Sequence, residues 1–396
     1  MPVPNSPESG DPLVFISAAE PSADLHGAAL IRATLRACPS ARFVGIAGPR
    51  MAEAGCWPIH DMTRRSAMLL SAVGLIGRAV RVMRSSVRCV RRYPFDGAVV
   101  IDSPALHLRL AGRLRAAGLP VLYYIAPQLW AWGAQRIGRL RRRTDRVAVI
   151  FPFEKEYFTS RGVNATYVGH PLFDHLRREA VDPQKVKATR DGGHPVIALL
   201  PGSRKHVARE VFPGQLEVAR RIEQAYPSAT FGVSVANAQV GGVIADELAR
   251  TPLTVTQHAG RHTELIAAAD LVLVASGTTT LEVAYHRKPM IVVYNASPLV
   301  YQLLGRWLIR SRHLSLPNIL AGREIVPEFM PYYTSTEPIA DRALELLQDQ
   351  AKANEMSAAL AEVVEPLMSQ DASGNVAQLL LEMVRSSDGY RNRRLT

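Results

Sequence analysis

Short apolar runs rich in β-branched residues recur in the first half of the chain, at Leu13–Ser17, Phe43–Ala47, Gly97–Ile101 and Val121–Ile125. Each run ends in a turn and leads into a stretch whose apolar residues have helical spacing. Apolar runs of this length without polar alternation are typical of strands buried on both faces of a parallel sheet. Strands that alternate with helices in this way predict an α/β unit.

The same pattern returns in the second half, after a connector-like stretch at Gly169–Pro195. The predicted strands there are Val196–Leu200, Thr230–Val235, Leu253–Gln257, Leu271–Ala275 and Met290–Val293. We therefore predict two Rossmann-like, doubly wound domains, residues 1–175 and 176–335, with a cleft where the carboxyl ends of their strands face each other. Residues 336–396 are predicted to form C-terminal helices that pack back on the N-terminal domain.

Two turns in the second half follow predicted strands and offer groups that bind phosphate. They are Gly202, Ser203 and Arg204, and Ser276, Gly277 and Thr278. Glycine lets the backbone approach a ligand, arginine forms charge-assisted hydrogen bonds, and a helix N-terminus favours anions. Glu282 lies about one turn into the second helix, where its carboxylate can accept from a ribose hydroxyl. Helix capping explains either turn alone, but the pair at one end of one sheet predicts a nucleotide-diphosphate site.

Two further segments lie just past predicted strands. Ser315–Pro331 holds Asn318 between prolines and offers amide contacts to a nucleobase or sugar, although an ordinary surface loop has the same composition. The run APQLWAW at Ala126–Trp132 is suited to form a wall for a sugar or acyl chain, and equally to pack in a core.

Carboxylates follow two predicted strands of the first half. Asp102 comes directly after Gly97–Ile101, where a side chain points towards the ligand crevice and a general base would be needed. Asp24 lies in the corresponding first loop, near Glu20 and His26. An aspartate before a turn is often only a cap. Asp102 and Asp24 are both candidates for a catalytic base.

Charge and cysteine usage narrow the class of protein. The chain of 396 residues has 47 lysines and arginines against 35 acids, a net charge of +12, which predicts an anionic partner. Three scattered cysteines argue against a disulfide framework or a zinc site and fit a reducing compartment. Neither a signal peptide nor an apolar stretch of about 18 residues is found, so we expect a cytoplasmic protein, soluble or surface-bound.

Two arginine-rich stretches are candidates for the anionic partner. Within Arg64–Arg92, apolar residues such as Leu69 and Ile76 recur at helical spacing between arginines. This pattern is typical of a helix lying in an anionic membrane surface, and also of a core-facing helix with one wet side. Arg136–Arg146 is either a solvated helical face or a second anionic contact. No exposed aromatics are interleaved with these arginines, which disfavours a nucleic-acid binder.

Taken together, the motifs resemble the lipid-A-disaccharide synthase family, inverting transferases with the glycosyltransferase B fold. The resemblance extends in order over roughly Leu13 to Pro331. The matching runs are SAAEPSADLHGAALIRA, GIAGPRM, IDSPALH, YYIAPQLWAWGAQRI, FPFEKEYF, VGHPL, LLPGSR, VANA, ASGTTTLE and SLPNILAGREIVPE.

The resemblance implies UDP-2,3-diacylglucosamine as donor, bound by the C-terminal domain, and 2,3-diacylglucosamine 1-phosphate as acceptor, bound by the N-terminal one. A β-1,6 link would form with inversion, at the cytoplasmic face of the inner membrane. Asp102 would be the base, with Asp24 still open, and Arg204 would contact the donor phosphate. The implied nucleotide-site residues are Ser276, Gly277, Thr278, Glu282 and Asn318.

Several points of the comparison stay open. The chain departs from the family pattern at Ala23, Gly77 and Asn295, the first two bearing on the acceptor and the third on a phosphate contact. It contains no Asp-x-Asp, so no metal or other cofactor is predicted. A homodimer is a further candidate assembly. The alternatives are another UDP-sugar enzyme of this fold, either an undecaprenyl-linked N-acetylglucosaminyltransferase or an epimerase, and a nucleic-acid-binding protein.

Overall fold

The computed structural model describes residues 11–63, 72–131, 133–260, 262–295 and 313–387. The chain divides into two compact units. The first runs up to Asp174 and takes up the chain again from Gln370, and the second is His175–Ser369. Each unit contains one parallel sheet with helices.

The first unit is built on seven parallel strands. These are β1 Leu13–Ala18, β2 Arg42–Ile46, β3 Cys56–His60, β4 Gly97–Ile101, β5 Val121–Tyr124, β6 Arg146–Val149 and β7 Ala165–Tyr167. Their order in the sheet is β3-β2-β1-β4-β5-β6-β7. The helices between them are α1 Pro21–Ala37, α2 Pro49–Glu53, α3 Ala72–Arg92, α4 Pro104–Ala116, α5 Ile137–Arg143 and α6 Pro152–Thr159, and α7 Pro171–Leu176 crosses into the second unit.

The second unit has six strands, again all parallel. These are β8 Val196–Leu200, β9 Thr230–Val235, β10 Val255–Ala259, β11 Leu271–Ala275, β12 Met290–Val293 and β13 Glu328–Phe329, in the order β10-β9-β8-β11-β12-β13. Its helices are α8 Pro183–Arg190, α9 Lys205–Ala225, α10 Ala238–Leu248, α11 His262–Ala268, α12 Thr279–Tyr285, α13 Leu316–Ala321, α14 Glu337–Gln348 and α15 Gln350–Met368. Strands β8 and β11 are buried throughout, as their unbroken apolar runs predict.

The last helix, α16 Ala372–Arg385, belongs to the first unit and packs on α1. The buried carboxylate of Asp174 fixes its start by accepting hydrogen bonds from the backbone N–H of Ala372 and Ser373, at 3.2 and 2.7 Å. Leu380 and Val384 on this helix are fully buried. The chain therefore leaves the first unit, forms the second and returns.

The predicted α/β class with two doubly wound sheets is confirmed, but strands β3, β6, β7 and β13 were missed. Strands β6 and β7 have only four and three residues, and β6 begins at the end of the arginine-rich stretch Arg136–Arg146. Strand β3 contains Trp57, 41% exposed, and Pro58, so it lacks a continuous apolar run. Strand β13 has two residues and lies inside Ser315–Pro331, where a loop was expected; that segment also contains α13. Strand β10 begins at Val255 and not at Leu253, because it is an edge strand with exposed positions and weak patterning.

Both sheets reverse their strand order at one point, between β1 and β4 in the first unit and between β8 and β11 in the second. In open α/β sheets, ligands bind outside the carboxyl ends of the strands at such a switch point. Ala18 pairs with Ile101 across the first, and Leu200 pairs with Val274 across the second. The loops that follow these residues are therefore the places to look for chemistry.

Candidate functional site

At the first switch point, Asp102 follows β4 in a conformation that few side chains adopt. Its φ is +51°, and the next residue, Ser103, has φ +46°. Two successive residues in the left-handed region are strained unless they are glycine, although aspartate tolerates the region better than most. Such outliers persist where the surroundings hold them and are concentrated at functional sites. The half-buried Asp102 therefore has a backbone conformation that its surroundings must stabilise.

Three side chains form the network that holds the Asp102 backbone. The Tyr123 hydroxyl donates to the Asp102 carbonyl at 2.7 Å, and Nδ1 of His107 lies 2.8 Å from the same oxygen. Nε2 of His107 lies 2.8 Å from the Ser17 hydroxyl on β1. Because a carbonyl can only accept, Nδ1 carries the proton and Nε2 accepts from Ser17. The tautomer of His107 is fixed at both ends.

Burial also fixes the charge of this network. His107 has no exposed surface, and its removal from solvent lowers its pKa to about 4. At neutral pH the ring is uncharged, as the acceptor role of Nε2 requires. The sequence indicated His107 only as part of the run IDSPALH and did not predict this role.

The other sequence candidate for a base, Asp24, lies in a different environment. Its buried carboxylate accepts from the backbone N–H groups of Gly48, Arg50 and Met51, at 2.8, 3.0 and 3.2 Å. These N–H groups start α2, so Asp24 caps a second helix from α1. A Cβ at Gly48 would lie 2.6 Å from this carboxylate, which explains the glycine there.

A carboxylate that the sequence analysis did not select lies beside Asp102. Ser103 donates from its hydroxyl to Glu20 at 3.4 Å, linking the loop after β1 to the loop after β4. Glu20 is half-buried and precedes α1 directly. The side chains at the first switch point therefore include two carboxylates, Asp102 and Glu20.

An aromatic group is built next to this edge, at the ends of β5 and β6. The indole N–H of half-exposed Trp130 donates to the buried Glu154 carboxylate at 2.9 Å, and Glu154 also accepts from the N–H groups of Ile150 and Phe151. Phe153 contacts the Trp130 ring edge-on, with centroids 5.0 Å apart. Burial raises the pKa of Glu154 to about 7. Trp132, the second tryptophan of the run, lies outside the described residues.

In the second unit, the turn after β8 brings a cation to the strand end. Gly202 has φ +98°, and a Cβ there would lie 3.0 Å from Val207, so glycine is required by both conformation and space. Ser203 is held by Asn237, whose side-chain amide donates to its carbonyl at 2.9 Å. Arg204 is exposed at the start of α9. Asn237 was missed as a positioning residue, although its place between a strand and a helix is a signal for a cap.

The turn after the neighbouring strand β11 is more open. Gly277 has φ +148°, and a Cβ there would meet nothing within 4 Å. The Thr280 hydroxyl donates to the Gly277 carbonyl at 2.7 Å, closing the turn. Gly277 and Thr278 are exposed and Ser276 is half-buried. Pairing of Leu200 with Val274 places this turn beside the Gly202 turn, so the structure brings the predicted diphosphate residues together at one edge.

Glu282 is more enclosed than the sequence indicated. It is 5% exposed, its Oε1 lies 2.9 Å from Nε2 of His262, and it accepts from the Thr263 hydroxyl at 3.2 Å. The hydrogen bond to Glu282 raises the pKa of His262. Glu282 thus joins α12 to α11, and the His262 side chain, 46% exposed, presents the pair to solvent.

Asn318 is fully buried and uses its amide inside the protein. Its Nδ2 donates to the carbonyl of Val326 at 2.9 Å, and its Oδ1 accepts from the N–H groups of Ile325 and Val326, at 2.8 and 3.0 Å. This geometry fixes the loop between α13 and β13. The Asn318 amide is thus committed to this loop, whose exposed residues are Gly322, Arg323 and Glu324.

The described residues contain neither a cluster of metal-ligating side chains nor a membrane-spanning helix. There, no group of three or more His, Cys, Asp or Glu side chains is arranged to hold a metal ion. Within the same ranges, no helix combines the length and the apolar character needed to cross a membrane. Residues 64–71 of the predicted membrane-facing helix, including Leu69, lie outside the described residues.

Comparison with solved structures defines the fold class. S. aureus MnaA in a co-structure with UDP has a TM-score of 0.63 at 10% identity, covering 98% of each chain. A glycosyltransferase from Rickettsia africae has a TM-score of 0.54 at 11% identity, covering 95% of this chain and 98% of that one. With its two sheets and switch-point turns, the protein has the glycosyltransferase B fold.

Comparison with protein families then identifies the particular group. The family profile of lipid-A-disaccharide synthetase matches residues 14–383. The Geobacter sulfurreducens lipid-A-disaccharide synthase is 38% identical over 376 residues, 94% of this chain and 97% of that one. The Neisseria meningitidis enzyme of the same name is 36% identical over 383 residues, 94% of this chain and 97% of that one. The chain belongs to the lipid-A-disaccharide synthase family and is a glycosyltransferase.

Proposed function

We propose that this protein transfers 2,3-diacylglucosamine from UDP-2,3-diacylglucosamine to 2,3-diacylglucosamine 1-phosphate. The product is the β-1,6-linked lipid A disaccharide 1-phosphate. The observation that carries the proposal is the family match over residues 14–383, which includes the candidate residues of both switch points. A nucleic-acid binder, an epimerase and an undecaprenyl-linked transferase would not account for that match.

The proposed reaction is a single displacement. Asp102 accepts the proton of the acceptor 6-hydroxyl while that oxygen attacks the anomeric carbon of the donor. The bond from this carbon to the phosphate oxygen breaks on the opposite face, and UDP leaves with the electron pair, so the configuration inverts. A base that acts in this way must lie within hydrogen-bond reach of the hydroxyl.

We assign the base to Asp102 and not to Asp24. Three backbone N–H groups occupy the Asp24 carboxylate, and its burial leaves it 3% exposed. These contacts and this burial leave little of the Asp24 carboxylate accessible to a substrate hydroxyl. His107 and Tyr123 hold Asp102 through its backbone carbonyl at the end of β4, which fixes the position from which its side chain would meet the hydroxyl.

The donor diphosphate is proposed to lie against the two turns of the second unit. Arg204 would neutralise charge that develops on the leaving phosphate, and the backbone N–H groups near Ser276 and Gly277 would donate hydrogen bonds to the remaining phosphate oxygens. Glu282 retains capacity for a ribose hydroxyl, because a carboxylate has about four lone-pair sites. Asn318 would act by fixing the loop whose exposed residues, Gly322, Arg323 and Glu324, would meet the nucleotide.

We further propose that Trp130 forms part of the acceptor wall and that the enzyme is peripheral on the cytoplasmic face of the inner membrane. Trp130 is half-exposed and immobilised by Glu154, which suits contact with a sugar or acyl chain. The apolar stretch near Leu69 and Ile76 would enter the inner leaflet, with arginines drawn to anionic lipid. Vesicle flotation of the Leu69→Ser and Ile76→Ser variants tests this; unchanged association would count against it.

The reaction is tested with purified protein, the acylated acceptor and two donors. We expect disaccharide and UDP from UDP-2,3-diacylglucosamine, and little product from unacylated UDP-glucosamine. Equal turnover of both donors, or conversion of a UDP-sugar without acceptor, would contradict the proposal. EDTA should leave turnover unchanged; activity that disappears in EDTA and returns with magnesium would overturn the prediction of a metal-free reaction.

A further inference from the structure

Three helices of the first unit carry a positive charge about as large as the net charge of the whole chain. Helices α3, α4 and α5 contain 13 arginines and no aspartate or glutamate. Of the 47 lysines and arginines in the whole chain, this leaves 34, against 35 acids. The entire net charge of +12 is therefore accounted for by this layer. The arginines of these helices are not offset by acidic residues on the same helices, so this layer is strongly positive.

These helices are neighbours and direct their arginines outward. Helix α3 contacts α4, and α4 contacts α5. Among the arginine side chains that the structure describes on them, all except the half-buried Arg143 are exposed. Like charges brought together in this way repel one another, and an anion bound among them relieves that repulsion.

A cavity of about 670 Å³ lies between α4 and α5 in this layer. Its lining residues are Arg109, Gly112, Arg113, Arg115, Ala116, Arg142 and Arg143. Five of the seven are arginines and none is acidic. The open depression is large enough for a phosphate group with its water shell, and its charge selects an anion.

Two of the cavity arginines are anchored to the protein. Arg143 donates to the Leu108 carbonyl at 2.9 Å and lies across Gly112, where a Cβ would come within 3.0 Å of its side chain. Arg115 donates to the Arg142 carbonyl at 2.7 Å and pairs with Asp145 at 3.1 Å. These contacts fix the walls of the cavity.

The other three arginines of the lining keep their donors available. Within the described part of the chain, the side chains of Arg109, Arg113 and Arg142 have no hydrogen-bond or ion-pair partner. Each guanidinium carries five N–H donors in a planar fork that matches the oxygens of a phosphate. A fixed frame with three uncommitted forks is a suitable arrangement for a phosphate ligand.

The cavity is separate from the edge that carries Asp102. Helix α4 starts just after Asp102 and runs back for 13 residues, so its last turn lies at the opposite edge of the sheet. At about 1.5 Å per residue, the lining residues from Arg109 to Ala116 lie roughly 8 to 18 Å along the helix from its start. Helix α5 likewise ends just before β6 begins.

We propose that the cavity between α4 and α5 is a binding site for a phosphate group, distinct from the proposed reaction site. An anionic lipid headgroup and a free polyphosphate share this chemistry, and sedimentation with vesicles distinguishes these two sources. The proposal does not rest on the proposed transfer reaction. The proposed transfer reaction uses none of these arginines, and the phosphate site gives them a ligand of their own.

Calorimetric titration of the full chain with inorganic pyrophosphate, in saturating UDP to fill the proposed donor site, tests the proposal. We expect one pyrophosphate per chain. The double variant Arg113→Gln, Arg142→Gln should weaken this binding about 10-fold or more, because two charge-assisted contacts are lost. The matched control, Arg209→Gln, Arg220→Gln, removes the same charge from exposed positions of α9 in the second unit and should change it little.

The source of the phosphate is determined by sedimentation with vesicles of phosphatidylglycerol or phosphatidylcholine. Release from the anionic vesicles by pyrophosphate and by the cavity variant, but not by the control, assigns the site to a lipid headgroup. Unchanged vesicle binding with loss of pyrophosphate binding assigns it to a free phosphate compound. Should the double variant not fold, Arg109→Gln serves instead. The absence of saturable pyrophosphate binding, or an equal loss in cavity and control variants, would overturn the proposal.

Discussion

The two switch points hold their functional groups by different means. In the first unit, Asp102 is set by a buried network in which His107 and Tyr123 grip its carbonyl. In the second, Gly202 and Gly277 leave the backbone uncovered, and Arg204 projects from an exposed turn. One edge fixes a single side chain through polar groups behind it, whereas the other presents several donors at its surface.

This difference matches the demands of the proposed chemistry. A general base must be aimed at one proton, so small displacements are expected to be costly. A diphosphate spreads its charge over many oxygens, so several N–H groups and a cation can share its binding. The first edge should therefore be sensitive to buried substitutions, and the second to loss of charge.

The largest effect is expected from Asp102→Asn. Removal of the base should lower turnover by about 10²–10⁴-fold while UDP affinity stays nearly the same. Steady-state kinetics with calorimetric UDP titration measures both quantities. Asp24→Asn is the comparison variant: it should reduce the free energy of unfolding by about 1–3 kcal/mol, because a buried cap is weakened, and spare turnover of the folded enzyme. Near-normal turnover of Asp102→Asn would remove that residue from the role.

Arg204→Gln is expected to have the next largest effect. A charge-assisted contact of about 1.5–3 kcal/mol corresponds to roughly a 10- to 100-fold loss in kcat/KM and weaker UDP binding. Arg209→Gln removes an equal charge from an exposed position on the same helix and serves as control. If both variants bind UDP equally well, the diphosphate does not lie against Arg204.

His107→Phe tests whether the buried network positions the base. The variant loses both the bond to the Asp102 carbonyl and the one to Ser17, so we expect about a 10-fold lower turnover with unchanged UDP affinity. Tyr123→Phe removes one bond and should have a smaller effect of the same kind. A purely structural role would lower stability but leave kcat of the folded enzyme intact, and the exposed His175→Phe should change neither.

Acid is expected to act on stability and not on catalysis: it should destabilise the folded protein through His107. The pKa of His107 is about 4 in the folded protein against an ordinary value of 6.5. Between these values the unfolded chain binds a proton that the folded chain does not. The free energy of unfolding should therefore fall as pH falls through this window, by on the order of 3 kcal/mol.

Urea unfolding of the wild type and of His107→Phe, at about pH 7 and about pH 4.5, measures this contribution. The variant should lose part of the acid sensitivity, because its side chain cannot be protonated. An identical pH dependence in both proteins would show that burial of His107 does not determine it.

The sequence predicted the sheet cores and the switch-point turns because both depend on local signals. Unbroken apolar runs predicted the bounds of β4, β8, β11 and β12, and the turns at Gly202 and Gly277 follow two of these strands. The bounds of β9 were also predicted, although Thr230 and Ser234 interrupt its apolar residues. The role of His107 could not be predicted, since its partner Ser17 lies 90 residues away. The buried amide of Asn318 likewise depended on a fold that loop composition does not reveal.

The return of α16 to the first unit has a consequence for biosynthesis. This helix is synthesised after the whole second unit, yet its buried Leu380 and Val384 complete the face beside α1. Since domains generally fold as units, the nascent N-terminal half must wait with an apolar surface uncovered while the later half closes on its own. Deletion of α16 would therefore destabilise the unit that is made first. In the intact chain, the first unit would depend on chaperones until α16 has been synthesised.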